Sequence, residues 1–275
     1  TASEWSVYRA RKRVVCAEGE DCVVDCASSS TECEDNTVVC APGYKCDVQC
    51  GSGKNDCKGT KVCGDGATDV TFQTSSSSWS DINIPQLVCG SGACTFVCTH
   101  RNQWTCENAI VNGRDASALT VVVQDGGTKK WSYTAKSAKI ACPTGAGSTC
   151  RVLCGSEDDL HPGSAYLCDG IEIDASGMTN AAGLEVKCSA FGENTCDGAK
   201  IKGCPGTNSD VTLAAATRVD GVTCQKTAIA KATRCATASE WSVYRARKRV
   251  VCAEGEDCVV DCASSSTECE DNTVV

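Results

Sequence analysis

The chain has 275 residues, a formal charge of −9, 26 cysteines and only 5% aromatic residues. Negative charge argues against a nucleic-acid partner, whose phosphates require clustered Lys and Arg; the single basic run, Arg9, Arg11, Lys12 and Arg13, is followed at once by Glu18, Glu20, Asp21 and Asp25. No apolar run approaches the length that spans a bilayer, and cysteine at this density marks a disulfide scaffold that formed in an oxidising environment, outside the cell or on its surface.

The chain opens with "TASEWSVYRARKRVVC", and all of Thr1–Val39 reappears letter for letter as Thr237–Val275. This predicts a window on a tandem array with a period of 236 residues (237 − 1): one full repeat over 1–236 and the start of the next over 237–275. The second copy holds four basic and eight acidic residues, so a single repeat carries −5 of the −9. It also holds Cys252, Cys258, Cys262 and Cys269, which leaves 22 cysteines per repeat, an even number that permits complete pairing.

A shorter period lies inside the long one. Cys16, Cys22, Cys26 and Cys33 recur as Cys40, Cys46, Cys50 and Cys57, each shifted by 24 residues; a looser copy follows at Cys89, Cys94, Cys98 and Cys106, and a stretched one at Cys142, Cys150, Cys154 and Cys168. The last cysteine of each set begins a second pattern, a Cys, a polar turn with Gly or Asn, and a short β-branched strand: "CEDNTVV", "CKGTKVC", "CENAIVN", "CDGIEID" and "CDGAKIK". Between these lie "CVVDC", "CDVQC", "DVTFQT", "CTFVC", "LTVVVQD", "CRVLC", "LEVKC" and "DVTLAA". Eight such arms per repeat, with a weaker ninth near "WSVYRA", predict an all-β, disulfide-stapled parallel β-helix, or β-solenoid, of about 8–9 coils. The Ser-rich Thr74–Asp81 and the segment Gly155–Ser164 read as insertions between coils.

Strand alternation assigns the faces. In C-x-V-x-C, Cys22, Val24 and Cys26 share one side, as do Cys46, Val48 and Cys50; Cys94, Phe96 and Cys98; and Cys150, Val152 and Cys154. The residues between them, Asp25, Asp47, Gln49 and Arg151, face water. Stacked strands lie about 4.8 Å apart, within the roughly 4.4–6.8 Å Cα separation that a disulfide needs, so pairing between neighbouring coils and pairing across one narrow coil are both open. The remaining candidates are Cys63, Cys188, Cys196, Cys204, Cys224 and Cys235. Metal clustering competes poorly, with only His100 and His161 present and C-x3-C rather than C-x2-C spacing.

The cysteine pattern and long tandem unit resemble the disulfide-rich parallel β-helix proteins of cell-surface filaments, mastigoneme-like or adhesive. The resemblance implies a right-handed coil and extracellular assembly. The stretches around Asp69–Thr74 and Leu119–Asp125 lack cysteines and depart from it, which leaves coil regularity there to be tested.

A verbatim second copy suits a fibre, which gains from one unit repeated with one geometry, more than an enzyme, which needs one site. The expectation is therefore a structural, non-enzymatic subunit of an extracellular filament or stalk, with itself as partner and no cofactor. The alternative is an adhesin or carbohydrate-binding surface, with Trp5, Tyr8, Trp79, Trp104, Trp131 and Tyr133 stacking on glycans or on a neighbouring filament. A β-helix lyase or hydrolase is the third reading; its best acidic cluster, Glu157–His161, has no second motif to complete it and lacks the spacing of a calcium loop. Standard N-glycosylation sites are absent, and Thr74, Ser75, Ser76, Ser77 and Ser78, with Ser28–Thr31, are the O-glycosylation candidates.

Overall fold

The computed structural model describes residues 3–6, 13–26, 33–51, 57–76, 82–100, 104–125, 133–155, 166–179, 183–188, 195–196, 198–203, 223–225, 249–250 and 273–274. Every regular element in these residues is a β-strand apart from a single 3₁₀ residue. Two parallel sheets run through the chain. The first contains β1 (Ser3–Ser6), β3 (Cys22–Cys26), β5 (Lys45–Cys50), β7 (Asp69–Ser76), β10 (Ala93–His100), β13 (Ala118–Asp125), β15 (Thr149–Cys154) and β17 (Leu184–Cys188), in that spatial order. The second contains β2 (Arg13–Val15), β4 (Thr37–Val39), β6 (Lys61–Cys63), β9 (Gln86–Val88), β12 (Ile110–Asn112), β14 (Lys139–Ala141), β16 (Glu172–Asp174), β18 (Lys200–Lys202) and β19 (Thr223–Gln225). Each strand of the first sheet is followed by one of the second, so every passage through both makes one coil of a parallel β-solenoid. The strand near "WSVYRA" is real: β1 pairs with β3. A small sheet of β8 (Ile82–Asn83) and β11 (Thr105–Glu107) lines one corner.

Register stacks like on like. In the first sheet Cys22, Cys46, Val70, Cys94, Leu119, Cys150 and Leu184 form one inward column, all buried. Val24, Val48, Phe72, Phe96, Val121, Val152 and Val186 form the next, with the Phe72 and Phe96 rings 5.6 Å apart. In the second sheet the buried middle residues are Val14, Val38, Val62, Leu87, Val111, Ile140, Ile173 and Ile201. The two facing walls thus meet as single layers of mostly aliphatic side chains, with Phe72 and Phe96 as the described inward aromatic residues.

The disulfides resolve the pairing question in favour of bonds within one coil. One class joins the residue after a second-sheet strand to the first inward residue of the next long strand: Cys16–Cys22, Cys40–Cys46, Cys89–Cys94 and Cys142–Cys150. The other joins the end of a long strand to the following corner: Cys26–Cys33, Cys50–Cys57, Cys98–Cys106, Cys154–Cys168 and Cys188–Cys196. Cys63 is also disulfide-bonded. Cys204 and Cys235 lie outside the described residues, and β19 places Cys224 at the register position of Ile201. The alternation explains why the cross-coil option loses: inward cysteines sit at the ends of the long strands that carry them, where the chain turns back within reach of its own corner. The bonded residues are 5 to 14 apart in sequence, so each closes a short loop and contributes about 2–3 kcal/mol by loop-closure entropy.

The coils without cysteine are regular, and their substitutions show why. The position after β6 is Gly64, where a Cβ would meet Val70 at 2.5 Å; the position after β12 is Gly113, where a Cβ would meet Leu119 at 2.8 Å. Val70 and Leu119 stand in register with the cysteines of neighbouring coils. An aliphatic side chain against a glycine therefore fills the volume that a disulfide fills elsewhere. Far from being irregular, β7 pairs with β10 and β10 with β13 over eight successive positions each, and β13 pairs with β15 over six.

The corners explain the "polar turn" pattern. Cys33, Cys57, Cys106, Ala135, Cys168 and Cys196 all have φ near +55°, and two residues later Asp35, Gly59, Asn108, Ser137, Gly170 and Gly198 return to the left-handed region. Gly, Asn and Asp tolerate that conformation best. Stacked corners share bonds: the amide of Asp35 donates to the carbonyl of Lys58, that of Asn108 to Lys136 and that of Ser137 to Asp169.

The second copy reproduces the first where it is described: β20 (Arg249–Val250) pairs with β21 (Thr273–Val274) in the register that joins Arg13 to Thr37 and Val14 to Val38.

Two measurements follow from this packing. A mass map of peptides cut without reduction gives Cys16–Cys22 and Cys26–Cys33 within single coils; recovery of Cys22–Cys46 would overturn the assignment. Gly113→Ala destabilises by about 1–3 kcal/mol by overpacking against Leu119, whereas Gly113→Cys with Leu119→Cys forms a further disulfide, read as a mass loss of two hydrogens.

Candidate assembly surfaces

A solenoid offers three kinds of surface: the two terminal edges, the flat outer faces and the corners. At the edges, among the described residues β1 pairs with β3 alone, β2 with β4 alone and β19 with β18 alone. Each such edge carries backbone donors and acceptors along one side that match another parallel strand.

The outer faces are held by ion pairs that step from coil to coil: Lys45–Asp69 at 3.4 Å, Lys136–Asp169 at 3.9 Å, Arg151–Glu185 at 2.7 Å and Lys202–Glu172 at 3.5 Å. Each is exposed enough to contribute only about 0–1 kcal/mol. The hydrogen bond from Lys187 holds the Glu185 carboxyl below the usual range; burial opposes it, and a weaker hydrogen bond from Arg151 and the charges of the two nearby cations lower it further. The Arg114–Asp174 pair is different. Asp174 is 1% exposed at its side chain, and Arg114 reaches it at 2.6 Å from two coils away, passing over Ala141 in the intervening strand. Ser176 donates to the same carboxylate from its amide and its hydroxyl.

At one corner three aromatic rings stack on successive coils. Trp104 lies 4.5 Å from Tyr133, centroid to centroid, and Tyr133 lies 4.7 Å from Tyr166, with interplanar angles of 15° and 24°. Lys136 Nζ lies 4.9 Å from the Tyr133 centroid. Each ring stands two residues before its corner residue, Cys106, Ala135 or Cys168, and that offset is a sequence signal that would have identified Tyr166. The arrangement changes the reading of these aromatics. A sugar stacks on a free ring face, and both faces of Tyr133 are covered by its neighbours, so the rings first stabilise the corner.

Other candidates fall differently. The backbone of Trp5 lies in register with Val24. Tyr8, Trp79, Trp131, Ser77, Ser78, Ser28–Thr31 and Glu157–His161 lie outside the described residues. Ser75 and Ser76 belong to β7 rather than to a loop. Thr74 is not a site for a glycan: it is fully buried, in register with Cys98, and its hydroxyl bonds to the Val97 carbonyl and lies 3.0 Å from the Cys106 sulfur. It fills a cysteine's place. The sulfurs of Cys16, Cys22 and Cys46 lie within 4.8 Å of one another, as do those of Cys26, Cys33 and Cys57, but each group contains a disulfide stacked on the next coil's disulfide, and oxidised sulfur lacks the thiolate charge that binds metal. Among the described residues no helix is long and apolar enough to cross a membrane.

Comparison with protein-family models, curated proteins and solved structures yields no match.

Arg114→Ala leaves the buried Asp174 charge without its cation and lowers unfolding stability by about 2–4 kcal/mol, while Arg114→Lys recovers part of the loss. Chemical denaturation monitored by circular dichroism measures both; equal stability of all three proteins would remove the pair from the account.

Proposed function

We propose that the chain is a structural segment of an extracellular or cell-surface filament or stalk, built from β-solenoid repeats that continue end to end. The observation that carries this reading is the pairing of β20 with β21 in the register of β2 with β4. The spacing supports it further. The middle positions of the second sheet step along the chain as Val14, Val38, Val62, Leu87, Val111, Ile140, Ile173, Ile201 and Cys224, and the next equivalent residue, Val250, lies 26 residues on, within the range of the earlier steps. β20 and β21 form a sheet of their own beside the nine-stranded one; continued at the same step, the stack would put nine coils in one 236-residue period and the first coil of the following repeat in the tenth place. The edge strands of each repeat are covered by the next, so one sequence laid end to end needs no dedicated cap inside the array.

The disulfides support the location, because bonds of this number form and persist in an oxidising compartment. A cell-surface filament of the mastigoneme-like or adhesive kind, carrying glycans on its insertions, is the finer form of the same proposal. The carbohydrate-binding alternative has less support, since the best-described aromatic rings stack on one another.

Electron microscopy of purified multi-repeat protein tests the reading. Nine coils at about 4.8 Å give straight fibres with an axial repeat of about 43 Å. Compact particles, or a period far from that length, would contradict it.

A further inference from the structure

The widest part of the first sheet bears a patch unlike the rest of the surface. Among the described residues β7, β10 and β13 are the longest strands, eight residues each. Their outward positions beyond Asp69 are Thr71 and Gln73, then Thr95 and Val97, then Thr120 and Val122, in register across the three strands. All six are at least partly exposed and none is charged, in a chain whose residues are 22% charged. On one side of this platform the charged residues in these two outward columns are Asp25 and Asp47, with Lys45 one outward position before Asp47 and paired with Asp69; on the other they are Arg151 and Lys187, around Glu185.

The charge pattern has a symmetry. Counting strands outward from β10 in the first sheet, β5 and β15 are two away on opposite sides, and β3 and β17 are three away. Asp47 and Arg151 occupy the same outward column, as do Asp25 and Lys187. A two-fold axis along β10, between two such faces, would place Asp47 opposite Arg151 and Asp25 opposite Lys187, each pair made twice. The same axis lays Thr71 over Thr120 and sets Val97 against its own copy.

We infer that this platform is a lateral docking surface for a second copy of the same chain, with the two solenoids running antiparallel and their first sheets face to face at about 10 Å. The uncharged centre can be dried without burying an unpaired charge, and the flanking charges select the antiparallel order. The contact is isologous, so it closes on two chains. It rests on the structural reading above, to which it adds the sideways contact that bundles filaments, and the two fail separately: fibres with the expected period but no lateral pairing would sink this inference alone.

The test is sedimentation of the 275-residue chain over a range of concentrations. The wild type forms a dimer. Val97→Lys opposes two like charges at the axis and weakens the dimer at least about tenfold, and Val97→Glu does the same. An equimolar mixture of the two variants recovers it, because each lysine then faces a glutamate. Asp47→Lys weakens pairing, and Asp47→Lys with Arg151→Asp restores it. Outward-facing changes leave the fold intact, which circular dichroism and the mass of the oxidised chain check. A chain that stays monomeric, a dimer indifferent to Val97→Lys, or a mixture that fails to recover would overturn the inference.

Discussion

Everything in this molecule depends on one constraint: a coil too narrow for more than a single layer of side chains per wall. Such a coil cannot bury its own apolar residues, so each inward side chain must be covered by the residue at the same position one coil away. Parallel pairing in register makes that possible, because it sets Val48 between Val24 and Phe72, and Val121 between Phe96 and Val152. A slip of one residue would turn the whole inward set to solvent. The columns therefore fix the register, and the register fixes where every cysteine falls.

Disulfides and aliphatic pairs solve the same packing problem at the ends of the long strands. A bond such as Cys40–Cys46 ties the exit from the short strand to the start of the next long one. Gly113 against Leu119 occupies the same place without a bond. The coil of β13 uses the aliphatic solution at both ends, with Leu119 and Val123 buried where neighbouring coils have Cys150 and Cys154. Staples can thus be missing from a coil provided its neighbours are registered. Because the observed bonds close loops inside one coil, they stiffen the corners, while cohesion along the axis falls to backbone hydrogen bonds, stacked side chains and links such as Arg114–Asp174.

Much of this was legible in the residues. The alternation in "CVVDC" and "CRVLC" gave the inward face directly, and the Gly or Asn turn after each corner cysteine gave the left-handed corners. The short strands Gln86–Val88 and Lys139–Ala141 were harder, because they follow turns that lack the corner cysteine and carry only two aliphatic residues and one, respectively. Disulfide partners were illegible because two geometries met the same distance requirement. Thr74 read as the start of a Ser-rich loop, although its place in register with Cys98 makes it part of the core. The aromatic stack was hidden by unequal coil lengths: Trp104, Tyr133 and Tyr166 align only when counted back from their corners.

The most direct test of the registered stack is a set of side-chain contacts in solution. Nuclear Overhauser effects from the Phe72 ring should reach Val48 on one side and Phe96 on the other, and those from Phe96 should reach Val121, in that order along the axis. Contacts from Phe72 to Val121 without Phe96 between them, or contacts confined to residues of its own coil, would contradict the account.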